Sequence, residues 1–223
     1  MKRYAIYAAP PGPLSEAAAN WLGWDAIEGA ERPCPGDFPF DWAAVTEAPR
    51  KYGFHGTLKA PFRLAEGRTE AELRDEMDRF GSGTAPVPLD GLQLSALAGF
   101  VALVPVGDTA ALDELAGNVV RSFDAFRAPP TEAEVARRGL DKLSPRQQEQ
   151  FWSWGYPFVF EDFRFHMTLS GKLDDAARAP VTDALTRLVV PHVPAPFVIG
   201  DLCLFGEGQD GRFRILHRSA LSG

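Results

Sequence analysis

A repeated pentapeptide constrains this chain more than any other feature of its sequence. Phe54–Leu58 and Phe165–Leu169 both have the sequence Phe-His-x-Thr-Leu, and the second copy follows the first by 111 residues, half of the 223-residue chain. Both copies are short, apolar and aromatic, which predicts β-strands. Side chains two residues apart on a strand point to the same face, so each copy should present its His and its Thr together.

The two pairs, His55 with Thr57 and His166 with Thr168, indicate acid–base chemistry on a phosphoryl group. A neutral imidazole can remove a proton while a protonated one donates a proton, because the ordinary pKa of His lies near physiological pH. Threonine hydroxyls can donate hydrogen bonds to phosphoryl oxygens. A single His on a buried strand is more often a core residue, but repetition of the pentapeptide in both halves favours the catalytic interpretation.

The motifs resemble those of the two-histidine (2H) phosphoesterase superfamily, which is defined by two His-x-Thr/Ser signatures. The resemblance extends to Arg3–Tyr7, Tyr52–Phe62 and Phe165–Gly171, and these segments are similar to an uncharacterised bacterial branch whose genes often accompany phosphonate degradation. It implies two pseudo-symmetric lobes with facing antiparallel-rich sheets, helices outside and a central cleft.

Periodicity by itself predicts only a mixture of helices and strands. Each half of the chain has the pattern strand, helical segment, motif strand, helix and strand pair, which suggests an internal duplication and an α+β fold. We expect one bilobal domain over residues 1–223, with lobe one to about 106 and lobe two from about 107. A chain of this length can bury a substantial core.

Local signals predict individual elements along the chain. Three capping boxes, Thr69/Glu72, Thr131/Glu134 and Ser144/Gln147, mark helix starts. Strands are expected near residues 3–8, 92–96 and 100–106, and a hairpin near 197–217. The Pro-rich segment 31–49 predicts either an ordered loop or a flexible cover. Residues 128–157 have no counterpart in the first half, and they are either a helical insertion packed on the core or a lid beside the second motif.

Strand parity extends the site beyond the motif pairs. Lys59 shares the parity of His55, while Arg164 and Ser170 share that of His166, so all three are candidate substrate-binding residues. Lys59 and Arg164 could equally be surface charges at strand ends. The opposite parity assigns Phe54, Leu58, Phe165 and Leu169 to the core.

The resemblance adds the first strand to the expected site. It implies that Arg3 and Tyr7 contribute to the cleft floor as substrate-binding residues. Tyr52 has core parity but lies at the strand entrance and could face either way, so it is a further candidate.

Composition limits the class of partner. A net charge of −7 and a pI near 5.2 argue against a broad nucleic-acid-binding surface, while a small anionic ligand remains compatible if cations line a pocket. Cys34 and Cys203 match no metal spacing, and neither a signal-peptide core nor a membrane-spanning run is present. We therefore expect a cytoplasmic protein with no membrane partner. A monomer is our further expectation, although no sequence feature fixes the oligomeric state.

These observations lead to one main functional hypothesis, which is a metal-independent and cofactor-free cyclic phosphodiesterase acting on a small nucleotide or sugar phosphate. One His would activate water, and the other would protonate the leaving oxygen. A ribose cyclic phosphate is a candidate by analogy with gene neighbourhood alone. The chain has no Walker or dinucleotide phosphate loop and no Gly-x-Ser-x-Gly motif.

Three alternatives remain open at this stage. The same pocket could open or join a 2′,3′-cyclic phosphate at an RNA end, although a long RNA is disfavoured by the acidic composition. The chain could be a non-catalytic nucleotide- or phosphate-binding module. A metal site could use the two motif histidines with Glu161 or Asp162, but no zinc-binding spacing is present.

Overall fold

The computed structural model describes residues 1–223, and it shows an α+β fold with eleven strands and seven α-helices. The strands are β1 Tyr4–Ala8, β2 Trp24–Asp25, β3 Ala30–Glu31, β4 Gly56–Phe62, β5 Val87–Leu89, β6 Gly91–Leu97, β7 Phe100–Val106, β8 Met167–Thr168, β9 Phe197–Ile199, β10 Asp201–Glu207 and β11 Phe213–Ala220. The helices are α1 Pro13–Leu22, α2 Trp42–Arg50, α3 Glu70–Ser82, α4 Ala110–Ser122, α5 Glu132–Arg138, α6 Pro145–Trp154 and α7 Asp175–Leu188.

Seven strands form one antiparallel sheet in the order β11-β10-β1-β4-β8-β7-β6. The two motif strands, β4 and β8, are neighbours near its centre, and Gly56 is paired with Met167. The expected α+β class, rich in antiparallel strands, is therefore confirmed. The sheets of the two halves are continuous rather than separate, because this pairing joins them. The two pseudo-symmetric lobes and their boundary near residue 106 stay predictions.

Strand β1 shows how the sheet separates the core from the site. Tyr4, Ile6 and Ala8 belong to a core cluster of 37 buried residues, which also includes the apolar residues of α1, α3, α4 and α7. The alternate residues Ala5 and Tyr7 belong to a second, eight-residue cluster on the other face. Because consecutive strand residues point to opposite faces, the four helices cover one face, and Tyr7 is directed to the other.

The local helix signals are confirmed where a capping box marks the first turn. Thr69, Thr131 and Ser144 each accept a hydrogen bond from the backbone three residues later, and the reciprocal side-chain bond is present in all three cases. Helix α1 ends at Gly23, whose φ of +77° is accessible to glycine at little cost.

Two elements differ from expectation. Helix α2 lies in the segment predicted to be an ordered loop or a flexible cover, and it is capped by Asp41, whose carboxylate accepts a hydrogen bond from the Ala44 amide. Its only proline, Pro49, lies in the last turn and cannot donate to the Val45 carbonyl, which instead accepts a hydrogen bond from the Gly171 amide at 2.7 Å. The second motif strand has only two residues, Met167 and Thr168, and a turn of 3₁₀-helix lies upstream of it at Phe160–Asp162.

Candidate active site

The pairing of β4 with β8 brings the two motifs together. Gly56 lies opposite Met167 in an antiparallel register, and continuing that register by one residue places His55 opposite Thr168 and Thr57 opposite His166. Opposed side chains in such a pair have Cβ atoms about 4.5–5.5 Å apart. The four side chains thus form a square with the histidines on one diagonal. All four line a single cleft of about 650 Å³.

Both imidazoles are oriented by the same local hydrogen bond. Nδ1 of His55 lies 2.9 Å from the carbonyl oxygen of Gly53, and Nδ1 of His166 lies 2.7 Å from that of Arg164. A carbonyl can only accept a hydrogen bond, so Nδ1 carries the proton in each ring. Nε2 of each neutral ring is therefore the basic nitrogen, and it is the atom available for proton transfer.

His55 is held in an apolar environment. Its ring stacks on Tyr7 with the ring centroids 3.9 Å apart, and Tyr7 itself is only 1% exposed. Burial lowers the pKa of His55 to about 4; the hydrogen bond to Gly53 opposes this shift, and repulsion from His166 adds to it. At neutral pH the ring of His55 is consequently uncharged and able to accept a proton.

His166, which immediately precedes the shorter strand β8, has a more open environment. The hydrogen bond at its Nδ1 is exposed to solvent, whereas the corresponding bond of His55 is partly buried. Its nearest aromatic neighbour is Phe100, with the ring centroids 5.6 Å apart. The hydroxyls of Thr57 and Thr168 make no hydrogen bond within the protein, so they are free to donate to a ligand in the cleft.

The prediction that Lys59 lines the cleft is wrong. Tyr7 pairs with Thr57 but Ile6 pairs with Lys59, so β4 has one extra residue between them. This β-bulge reverses the parity of the strand and turns Lys59 toward the helices. Its ammonium group donates to the Val120 carbonyl at 3.1 Å and pairs with Asp124 at 3.2 Å, and burial lowers its pKa to about 8.

The two candidates beside His166 also have other partners. Arg164 is exposed outside the cleft and donates to the carbonyls of Glu161 and Phe163. Ser170 lies at the cleft wall but is 1% exposed, and its hydroxyl donates to Gly171 while accepting from the Val101 amide. Because β8 ends at Thr168, strand parity fails at Ser170, which anchors the segment to β7 instead.

The remaining three candidates are residues of the cleft wall. Arg3, Tyr7 and Tyr52 all line the cleft. Arg3 is paired with Glu207 at 2.6 Å, and Tyr52 stacks on Phe213 with centroids 5.0 Å apart. Burial raises the pKa of the Tyr7 hydroxyl well above its ordinary value, so this group stays protonated.

Sequence reasoning missed several cleft residues. Arg137 and Arg138 at the end of α5, together with Tyr156 after α6, reach the cleft from the insertion 128–157. Lys51 and Lys172 flank the two motifs in the sequence and also line it. The sequence feature that could have indicated them is the adjacent pair Arg137 and Arg138, which is unusual in an acidic chain. The insertion therefore contributes directly to the cleft, as one of its two predicted roles required, while Phe151 packs into the interior.

The cleft is positively charged although the chain is acidic. Its lining includes five cationic side chains and no carboxylate, whereas the whole chain has a net charge of −7. Such an arrangement concentrates positive potential where an anion would bind. No three His, Cys, Asp or Glu side chains are grouped so that they could hold a metal ion. Asp162, a candidate ligand, is instead paired with Arg146 at 2.8 Å.

Residues 57–214 match the family described as "Protein of unknown function (DUF1045)". The match covers more than half of the chain, which therefore belongs to this family. The matched region contains the second motif in full and begins at Thr57 in the first.

Two curated relatives carry the name "Ribose 1,5-bisphosphate phosphokinase PhnN". The protein of Janthinobacterium sp. (strain Marseille) is 38% identical over 221 residues, covering 95% of this chain and 49% of its own length. That of Laribacter hongkongensis (strain HLHK9) is 39% identical over 180 residues, covering 78% and 41%. The chain thus spans about half the length of the curated relatives that it matches.

Solved structures align over nearly the whole chain. They include TT0787 of Thermus thermophilus, at 17% identity and a TM-score of 0.42 over 99% of this chain and 98% of that one. E. coli LigT complexed with NADP⁺ gives 16% identity and a TM-score of 0.41 over 100% and 98%, and a protein described as a phosphoesterase gives 16% and 0.38 over 100% of both chains. Identities and TM-scores this low support no functional argument. The resemblance to 2H phosphoesterases therefore rests on the two motifs in the cleft and not on these superpositions. None of the helices is both long and apolar enough to cross a membrane.

Proposed function

We propose that this protein is a phosphoesterase that hydrolyses a cyclic phosphodiester of a small nucleotide or sugar phosphate, with His55 as general base and His166 as general acid. The supporting observation is the pair of imidazoles that share one cation-lined cleft, each with Nδ1 bound to a carbonyl and Nε2 free. Two proton-transfer groups flanking one anion site are what in-line displacement at phosphorus requires.

The different environments of the two histidines support giving them different steps. His55, whose pKa burial lowers to about 4, is neutral and accepts a proton from water at Nε2. The oxygen of that water forms a bond to phosphorus, and the bond from phosphorus to one ring oxygen breaks. His166, protonated at Nε2, transfers its proton to the departing oxygen. The product is a phosphomonoester with a neighbouring free hydroxyl.

The hydroxyls of Thr57 and Thr168 complete the site. Each lies opposite a catalytic histidine across the β4–β8 pair and can donate a hydrogen bond to a non-bridging phosphoryl oxygen. Such bonds strengthen as negative charge develops on these oxygens in the transition state. The cationic side chains around the cleft would attract the anionic substrate and hold it before reaction.

A ribose phosphate is our preferred substrate class. The curated relatives are named for ribose 1,5-bisphosphate, and this chain corresponds to about half of their length. Its sequence has no Gly-x-x-x-x-Gly-Lys-Ser/Thr loop, so we do not transfer the kinase activity of that name. Opening a 1,2-cyclic phosphate of ribose 5-phosphate at O2 would yield ribose 1,5-bisphosphate, which connects the proposed reaction to the compound in that name.

The test is a substrate screen with purified protein in the presence of EDTA. The panel contains ribose 1,2-cyclic phosphates, nucleoside 2′,3′-cyclic phosphates and RNA oligonucleotides ending in a 2′,3′-cyclic phosphate, with phosphomonoester release measured by ³¹P NMR. We expect turnover of a small cyclic phosphate that His55→Ala or His166→Ala lowers by roughly 10²–10⁴-fold. Exclusive turnover of the RNA ends would favour the RNA-processing alternative, and binding without turnover would favour a non-catalytic module.

A further inference from the structure

A second pocket adjoins the histidine cleft. Its volume is about 260 Å³, and it shares Arg3, Pro61, Arg137, Arg138 and Gly155 with the cleft. Since these residues form a common wall, one ligand could occupy both spaces. The pocket therefore extends the candidate active site toward the insertion 128–157.

Arginine dominates this second pocket. Five arginines and a single carboxylate, that of Glu134, are among its lining residues. The planar guanidinium group of arginine can donate two parallel hydrogen bonds to a phosphate group. Several arginines around one pocket are a frequent arrangement for binding a multiply charged anion. The lining arginines are Arg3, Arg63, Arg127, Arg137 and Arg138.

Three of the five arginines have partners that hold them in place. Arg3 is paired with Glu207 at 2.6 Å, and Arg63 with Glu134 at 3.2 Å. Arg127 makes two hydrogen bonds to Asp124, at 2.8 and 3.1 Å, and one to the Ser153 carbonyl. These three side chains build the walls of the pocket, and their charges are largely compensated.

Arg137 and Arg138 differ because neither takes part in an ion pair or a side-chain hydrogen bond. The Arg138 guanidinium lies over the rings of Tyr156 and Phe151, at 5.1 and 5.9 Å from the centroids. Stacking of this kind orients a guanidinium while its N–H groups stay available. Arg137 and Arg138 are thus two unpaired cations that line both the cleft and the pocket, and a bound anion could form ion pairs with both.

We infer that this arginine pocket binds a second phosphate group of the same substrate, a terminal phosphomonoester, while the histidine cleft holds the reacting diester. This inference rests on the proposed function. It narrows the substrate class to cyclic phosphodiesters that carry a further phosphate elsewhere on the molecule. In a chain with a net charge of −7, a cationic site built from one dibasic pair and three held arginines provides that selectivity.

Matched substrate pairs test the inference through turnover. Ribose 1,2-cyclic phosphate and adenosine 2′,3′-cyclic phosphate are each compared with their 5-phosphorylated forms. We expect the wild type to favour the phosphorylated member by roughly 10- to 100-fold in kcat/KM, about the range of one hydrogen bond to a charged group. Arg138→Gln and Arg137→Gln should each reduce this ratio, and Arg138→Lys should retain part of it because the charge remains.

A control variant makes the same change in charge elsewhere. Arg187 is an exposed residue in the last turn of α7 that lines neither pocket, so Arg187→Gln should preserve the ratio. Thermal unfolding of each variant checks that the fold is intact. A wild-type ratio near one, or a ratio unaffected by both Arg137→Gln and Arg138→Gln, would overturn the inference even if turnover of cyclic phosphates is established.

Binding measured by calorimetry separates the inference from the proposed function. Ribose 5-phosphate and inorganic phosphate are titrated into the wild type, His55→Ala and Arg138→Gln. Ribose 5-phosphate binding that survives His55→Ala but weakens about tenfold or more in Arg138→Gln would support the arginine pocket, even if no cyclic phosphate is turned over. Equal affinity of wild type and Arg138→Gln would contradict it. If inorganic phosphate bound more weakly to Arg138→Gln than to the wild type but ribose 5-phosphate bound to neither, the pocket would bind free phosphate rather than the substrate, and the inference would be wrong.

Discussion

The two motif strands contain the same pentapeptide but differ in their surroundings. Strand β4 has seven residues, and His55 beside it stacks on the buried ring of Tyr7. Strand β8 has two residues, and the hydrogen bond that orients His166 is open to solvent. Both rings make the same bond to a carbonyl two residues earlier. The two copies of the motif therefore have the same tautomer, whereas the neighbours contributed by other elements differ, and burial lowers the pKa of His55 to about 4.

The same contrast appears four residues after each histidine. Lys59 is removed from the cleft by a bulge in β4 and pairs with Asp124, while Ser170 lies past the end of β8 and bonds to Val101. Strand parity predicts that both residues bind the substrate. Strand parity holds only where the ladder is regular, so the side-chain directions predicted from the repeat hold for its His and Thr but fail at Lys59 and Ser170.

The largest expected effect comes from removing either imidazole. His55→Ala and His166→Ala should each lower kcat on the substrate found in the screen by roughly 10²–10⁴-fold, because each removes one proton-transfer step. The double variant should lose less than the product of the two single losses, since both residues serve one displacement. Steady-state kinetics measure all three variants.

The exposed His192 in the loop after α7 offers a matched control. His192→Ala should retain wild-type turnover. Near-normal kcat in either motif variant would disprove the paired acid–base mechanism, although the fold would be unaffected.

The threonines should give the next largest effect. Thr57→Val and Thr168→Val each remove one hydrogen bond to a charged oxygen, worth about 1.5–3 kcal/mol, so kcat/KM should fall by roughly 10- to 150-fold. Thr186→Val, in helix α7 and away from the cleft, is the matched control and should have no kinetic effect. If only one of Thr57 and Thr168 mattered, the two halves of the site would not act equivalently on the phosphoryl group.

The pH dependence would sharpen the comparison of the two histidines. Because burial lowers the pKa of His55 to about 4, this base is neutral above that pH, and kcat/KM should decline only as the pH falls toward 4. Tyr7→Leu removes the stacked ring and should move this acidic limb upward, toward the ordinary value of about 6.5. A pH–rate profile, together with NMR titration of the His55 ring, tests this. An acidic limb already near 6.5 in the wild type would remove the distinction between base and acid.

Lys59 should have the smallest effect on activity. Lys59→Met should leave kcat/KM within about twofold, because the side chain faces the helices rather than the cleft. A decrease in kcat/KM comparable with that of the threonine variants would show that Lys59 contributes to the active site.

Stability gives a second readout for Lys59. Burial lowers its pKa to about 8 in the folded state, below the value of about 10.4 in the unfolded chain. Between these values the unfolded state binds more protons, so this residue makes the free energy of unfolding rise with pH across the window. Urea unfolding at pH 8 and pH 10 should show that rise in the wild type and a smaller one in Lys59→Met. The same pH response in both proteins would contradict the assignment.

Several features of this protein follow from local sequence. Helix starts at Thr69, Thr131 and Ser144 depend on hydrogen bonds within four residues, so the capping boxes predicted them. The repeated pentapeptide likewise predicted the four central residues of the candidate site, because side-chain alternation along a strand is a property of the backbone.

Other features depend on residues that are distant in the chain. The pairing of Gly56 with Met167, the stacking of Tyr7 on His55 and the approach of Arg137 and Arg138 to the cleft join elements separated by many residues. Helix α2 escaped prediction because the prolines of the segment 31–49 suggested a loop, whereas Asp41 and the packing of Trp42 stabilise a helix there. The repeat by itself determined which side chains form the centre of the candidate site, and the tertiary structure decided their burial, the lowered pKa of His55 and the cations around them, since desolvation and electrostatic interactions depend on distance in space rather than on separation along the chain.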